Sequence, residues 1–379
     1  MSRTPLRTPW LLVLAAFLCA IPARACSVPV FRYALEHWDA APFRAFVFHR
    51  GALTDEHRAA VRELGKEGLA GKMHANISVR TVDLDQDPPP ELLDLWRQAR
   101  TETLPLLVVQ FPAANRVNAT VWTGPLAADS ASLLLDSPAR RQIVQRLGEG
   151  QSAVWLVIES GDAAKDSAAA ALLDARLKYL ASILRLPKLD AQDIANGLVS
   201  TGQEGMRLEF SMLRVSRDDA REQPFIRMML GAEADLADAK GPIVIPVFGQ
   251  GRALYALVGD GIRHEMIDRA ASFLIGKCSC EVKEQNPGFD LLLAADWKAL
   301  LAAQNAGIPD LPTMAELTKS APVTVTISPS APPAESVGRA GSGNPAARPM
   351  FIRGTIALGI VTLGVIALLA AIFALRRAK

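Results

Sequence analysis

The chain reads as an α/β protein of two tandem domains, each a mixed central sheet flanked by helices, with a C-terminal transmembrane helix. Two observations predict this. Short apolar strands alternate with helix-spaced segments, and the order of elements in 26–150 recurs in 151–287. Beyond them an uncharged run of 22 residues, Gly354 to Leu375, is long enough at ~1.5 Å per residue to span a ~30 Å hydrocarbon core.

The first half opens with helical spacing at Val30, Tyr33, Ala34 and Trp38, within Pro29 to Trp38. Arg44 to His49 is a short buried strand, after which Thr54 caps a helix carrying Val61 and Leu64. Asn76 to Asp85 is a second strand, alternating at Ile77, Val79 and Thr81. Leu92, Leu93, Trp96 and Ala99 share a helix face. Leu104 to Phe111 and Ala119 to Gly124 form a hairpin, and one helix from about Ser130 to Leu147 ends at Gly148 and Gly150.

The second half repeats the order. Ala153 to Glu159 is a buried strand, followed by a long helix with Leu173, Leu177, Leu180 and Leu184 at spacings of four, three and four. Arg207 to Val215 is the next strand, and Phe225, Met228 and Met229 mark a short helix. PIVIPVFG and RALYALVG make a hairpin across Gly249-Gln250-Gly251, and a helix from Ile262 to Ile275 closes the unit. The halves match in element order rather than residue by residue.

VRTVDLDQDP (Val79 to Pro88), then LPLLVVQF, then WTGPL resembles the middle of thioredoxin, where a strand ends in an Asp-rich turn, a helix follows, and a cis-proline starts the next strand. The resemblance implies a thioredoxin-like fold in each half, with Pro105 at the cis-proline position and Pro246 at the matching one. X-Pro bonds carry only a small trans preference, so proline suits such a position. The chain departs from thioredoxin where it matters chemically. The stretches after the first strand of each half read FHRGALTDEH (Phe48 to His57) and ESGDAAKDSA (Glu159 to Ala168), and neither contains the Cys-x-x-Cys of thioredoxin. Without a thiolate at a helix N-terminus there is no nucleophile for disulfide exchange at either place. The thioredoxin fold without its cysteines also serves as a peptide-binding or docking module, an implication at the level of the fold alone.

The ends predict topology. Arg3 and Arg7, the apolar stretch Trp10 to Ile21, and Ala23-Arg24-Ala25 read as an export signal, residues 1–25, cleaved before Cys26. A Cys at that position also suits lipidation, although Arg24 fits such processing badly. Residues 288–315 read as a helical extension and 316–350, rich in Pro, Ser, Ala and Gly, as a flexible tether. Arg376, Arg377 and Lys379, in the 376–379 tail, mark the cytoplasmic end of the 354–375 span. The reading is a single-pass protein of the cytoplasmic membrane, with its N-terminal domains on the periplasmic or extracellular side. The signal and short tail have a bacterial style, in which the Asn76 and Asn118 sequons stay idle. A net charge of +2 without Lys/Arg clusters excludes a polybasic nucleic-acid surface and leaves a membrane or periplasmic protein as the expected partner.

With Cys19 lost in the signal, Cys26, Cys278 and Cys280 remain. Cys278-Ser279-Cys280 is the one local constellation with reactive potential. It leaves four readings open: a structural disulfide from one of the pair to Cys26, a readily reduced Cys278–Cys280 pair, a soft-metal site for Cu(I) or Zn with Cys26 as third ligand, or inert thiols. Asp83 to Asp87 with Asp94 lacks the glycine of a calcium loop and reads as a turn. His37, His49, His57, His74 and His264 have no metal spacing, and no nucleophile elbow, phosphate loop or zinc-protease helix is present. No resident cofactor is expected. The sequence therefore favours a non-catalytic binding or assembly module beside a membrane partner. Thiol-based disulfide handling or Cu(I) delivery through Cys278 and Cys280 is the alternative.

Overall fold

A computed structural model describes residues 26–65, 74–113, 119–278 and 282–306. The predicted signal (1–25), tether (316–350), membrane span (354–375) and tail lie outside these residues, as do Cys280 and Asn118. Among the described residues no helix is long and apolar enough to cross a membrane.

The first half runs α1 (Val30–His37), β1 (Phe43–His49), α2 (Asp55–Leu64), β2 (Ile77–Asp83), α3 (Pro90–Gln98), β3 (Leu106–Gln110), β4 (Thr120–Pro125), α4 (Ala128–Leu135) and α5 (Pro138–Gly148). Its strands lie in the order β2-β1-β3-β4, with β1 and β2 parallel and β3 antiparallel to both its neighbours. Thr54 caps α2 as expected, its Oγ1 accepting from the His57 N–H at 3.2 Å. The single helix expected from Ser130 to Leu147 is two helices. Ser137 caps the second by accepting from Arg140 N–H, and Pro138 takes the first helical position, where its missing N–H costs nothing.

The second half runs β5 (Ala153–Glu159), α6 (Ala163–Ile183), α7 (Ala191–Ala195), β6 (Phe210–Ser216), α8 (Gln223–Leu230), β7 (Ile243–Phe248), β8 (Arg252–Ala253), β9 (Leu257–Val258), α9 (His264–Ile275), β10 (Phe289–Asp290) and α10 (Trp297–Ala306). The sheet order is β10-β8-β7-β5-β6, with β9 also on β7; β5 and β6 are parallel, and β7 is antiparallel to its neighbours. β5 is apolar on both faces because it is central and covered on each side.

The two sheets share a core. Phe43, Ala45, Val47, Leu107 and Val109 from the first sheet belong to one cluster with Val154, Leu156, Ile158, Ile243 and Ile245 from the second. Helices α2, α4, α5 and α8 and the segment Leu291–Leu293 complete it. The alternate residues of each strand face outward. Phe48, Leu106 and Val108 meet Leu92 and Leu95 of α3, while Trp155, Val157, Val244 and Phe248 meet α1, α6 and α9. Strands on either side of position 150/151 therefore contribute to one hydrophobic cluster.

Helix α1 precedes the first sheet in sequence yet packs on the second. Val30 N–H donates to Gly276 O and Cys278 N–H to Val28 O, each at 2.9 Å, and Pro29 bridges Lys277 in antiparallel sense. Trp38 meets Phe248 edge-on at 6.5 Å between ring centroids.

Candidate functional site

The stretch after β1 and the stretch after β5 are the places where a thioredoxin-like fold would carry its chemistry. After β1, His49 Nδ1 lies 2.8 Å from Gly51 O, and Gly51 takes φ +61°, a region that favours glycine. Arg50 pairs with Asp85 at 2.5 Å, with both side chains about half exposed. After β5, Asp166 is buried at 3% exposure and accepts from Ser160 N–H and Ser160 Oγ at 2.8 Å and from Gly161 N–H at 3.0 Å. Asp162 caps α6 by accepting from Ala164 N–H and Lys165 N–H. The Lys165 N–H and then its ammonium hold the Asp162 carboxyl below the ordinary carboxylate range. These groups are occupied in shaping turns. The Ser160 hydroxyl meets a carboxylate, but that carboxylate also accepts from two backbone N–H groups, and neither stretch contains a cysteine.

The Leu104–Pro105 peptide bond is cis, and Pro105 directly precedes β3, whose Leu106 pairs with Phe48 near the end of β1. The equivalent residue in the second half is Pro242, not Pro246. Pro242 directly precedes β7, whose Ile243 pairs with Ile158 near the end of β5. The same hydrogen bond recurs in each half. Leu126 N–H, just past β4, donates to Pro105 O at 2.9 Å, and Gly259 N–H, just past β9, donates to Pro242 O at 3.0 Å. Pro246 instead lies inside β7 opposite Trp155, and neither Pro242 nor Pro246 is among the cis bonds of the described residues, so the match of Pro242 to Pro105 is one of position and hydrogen bonding. Its missing N–H falls where the partner strand breaks: Val247 pairs with Ala253 but Val244 with Leu257, one residue out of step. That break explains why the expected second hairpin arm is two short strands.

Cys26 and Cys278 are both buried, 5% and 1% exposed, in the outer cluster of the second sheet. The Pro29–Lys277 bridge and the Cys278 N–H to Val28 O bond bring the 26–30 segment against 276–278. The two cysteines sit beside α1, which meets the C-terminal end of β7; Val247 there pairs with Val154, at the far end of β5 from Glu159. The structure thus brings Cys26 and Cys278 into one cluster and keeps both from the post-strand loops. Among the described residues no group of three His, Cys, Asp or Glu is placed to hold a metal ion.

The polar residues that follow Cys280 form a buried lock. Arg252 donates to Asp290 Oδ1 at 3.2 Å and to the carbonyls of Pro287, Asn286 and Lys283, while Lys283 Nζ donates to Asp290 Oδ2 at 2.8 Å and to Asp39 O. Ala41 N–H also donates to Asp290 Oδ2, at 2.9 Å. A second buried arginine, Arg32 of α1, bonds Glu36 and reaches Gln304 of α10 at 2.8 Å. Isolated charges at long sequence separation left no pattern from which either lock was readable.

Asp83 to Asp87 is a turn: Asp85 N–H donates to Asp83 Oδ1 at 3.0 Å, Gln86 N–H to Asp83 O at 3.2 Å, and Asp94 engages Arg97. The Asn76 side chain donates to Ala41 O and Leu291 O and accepts from Leu293 N–H, each at 3.0 Å, which commits it to bracing rather than to carrying a glycan. His37 Nε2 lies 3.0 Å from Leu198 O. No protein-family model matches this chain, and no curated protein matches it.

Proposed function

We propose that the chain is a membrane-tethered, extracytoplasmic binding or assembly module built from two redox-inactive thioredoxin-like repeats. The strand order and directions of the first sheet, repeated by β6-β5-β7-β8, support the thioredoxin-like reading. The recurring Pro105 and Pro242 hydrogen bonds support the repeat. Export and tethering rest on the sequence of the two ends.

One observation carries the non-catalytic reading. After β5 the buried Asp166 carboxylate is committed to the turn itself by three hydrogen bonds, and after β1 His49 Nδ1 lies against Gly51 O. The burial of Cys26 and Cys278 adds to it, since reactive thiolates sit in partly exposed, electropositive surroundings. A periplasmic or membrane protein remains the partner proposed.

The test is native and denaturing alkylation followed by mass spectrometry on protein isolated from membranes. The reading expects recovery in the membrane fraction, an N-terminus at Cys26, no native labelling of Cys26 or Cys278, and no reduction of a disulfide substrate. Rapid native labelling of Cys278 after mild reductant, or Cu(I) bound stoichiometrically and lost in Cys278→Ser/Cys280→Ser, would replace it with the thiol reading.

A further inference from the structure

The residue that would become the N-terminus after export is already inside the protein. Cys26, Ser27 and Val28 are 5%, 4% and 0% exposed. Ser27 N–H and Oγ both donate to Asp193 Oδ2 at 2.6 Å, and Asp190 N–H donates to Ser27 Oγ at 2.7 Å. Val28 N–H donates to Cys26 Sγ at 3.4 Å, and Val28 O accepts from Cys278 N–H. Farther along the arm, Gln250 Nε2 holds Leu35 O at 3.0 Å, and Arg32 joins it to α10. Residues 26–38 thus form an arm docked by backbone, side-chain and apolar interactions together.

A peptidase acting before Cys26 needs the flanking backbone extended in its own cleft. An acyltransferase needs the Cys26 sulfur in reach. Docking withdraws both, because the backbone of Val28 and Val30 is committed to the 276–278 ladder and the sulfur is a core atom. We propose that docking of the 26–38 arm and processing at Cys26 are mutually exclusive. The bond before Cys26 is cleavable only while the arm is undocked, and after docking Cys26 is closed to lipidation. This rests on reading 1–25 as an export signal.

The experiment uses the full-length uncleaved chain, unfolded in urea and diluted into detergent micelles, with purified signal peptidase added after increasing delays. The cleavable fraction is expected to fall with delay, with cleavage about tenfold slower once folding is complete, because the bond is then reached only through local opening. Asp193→Ala removes the acceptor of both Ser27 donors, and it should keep a larger fraction cleavable at long delay. Val28→Asp should do so more strongly, with circular dichroism checking that the rest of the chain folds. A cleavable fraction independent of delay, the same in wild type and Asp193→Ala, would overturn the proposal while leaving the export reading intact. Failure to cleave before Cys26 even at zero delay would overturn the export reading, and the proposal with it.

Discussion

Arg252 and Asp290 form a buried ion pair across the β8–β10 seam, Nη1 to Oδ1 at 3.2 Å, with side chains 8% and 4% exposed. Every other partner of the pair is also in place, including Lys283 on the second carboxylate oxygen. Removing one member leaves the other charge desolvated without compensation. Asp290→Ala is expected to cost about 3–5 kcal/mol, read as a lower urea midpoint at unchanged slope. Lys283→Met, which leaves the Arg252–Asp290 pair intact, should cost less; equal costs would mean the pair does not dominate the lock.

Gly288 takes φ +111°, and a Cβ there would lie 2.3 Å from Ala253 O. That oxygen belongs to the backbone of β8, whose Ala253 pairs with Phe289, so it cannot swing aside. Gly288→Ala is expected to destabilise by about 2 kcal/mol or more and to expose the β8–β10 amides to hydrogen exchange before the rest of the sheet. Protection equal to wild type would contradict it.

The Asp166 carboxylate organises the turn between β5 and α6 through three hydrogen bonds. Asp166→Ala leaves Ser160 and Gly161 donors unmet and is expected to cost about 2–4 kcal/mol in chemical denaturation. Asp166→Asn keeps an acceptor oxygen and should lose clearly less. If the two variants lose the same, the Oδ2 contact with Gly161 N–H, which the Asn NH2 cannot replace, carries the cost rather than the Ser160 donors.

Asp268 accepts two hydrogen bonds from Arg176, at 2.6 and 2.5 Å, and this holds its carboxyl below the ordinary carboxylate range. A depressed native pKa means that the unfolded chain binds the proton more readily. The resulting stability is present above the ordinary value of ~3.9 and is lost as pH falls through the lower native value. Asp268→Asn should therefore lower thermal stability at pH 7 and make progressively less difference as pH falls from about 4 toward 2. A difference that stays constant over that window would assign the effect to packing rather than to charge.

Much of the fold was legible from local patterns. Short buried runs located β1 and β5 within a residue, Thr54 announced α2, and the glycines after Leu147 marked the end of α5. These signals work because strand and helix periods act over a few residues. The break at Ser137-Pro138 was also written locally, as a cap followed by proline at the first helical position, although the apolar spacing runs through it. Pro246 misled because two prolines lie within five residues of β7, and only pairing with β5 distinguishes them. The thiol cluster was half legible. Cys278-Ser279-Cys280 stood out by spacing, but the burial of Cys26 beside Cys278 depends on an arm crossing more than 230 residues of chain.

The amino-acid sequence by itself determined the α/β class, the repeated order of elements, and the absence of cysteine from the stretches after β1 and β5. Those properties are local or compositional, so they survive without knowledge of what packs against what. Tertiary structure decided that α1 serves the second sheet, that both sheets share one inner core, and that Pro242 rather than Pro246 answers to Pro105. It also decided that Arg252, Lys283 and Asp290 meet. Each of these depends on pairing and desolvation between residues distant in sequence. A charge or apolar face carries no mark of its partner until folding removes both from water.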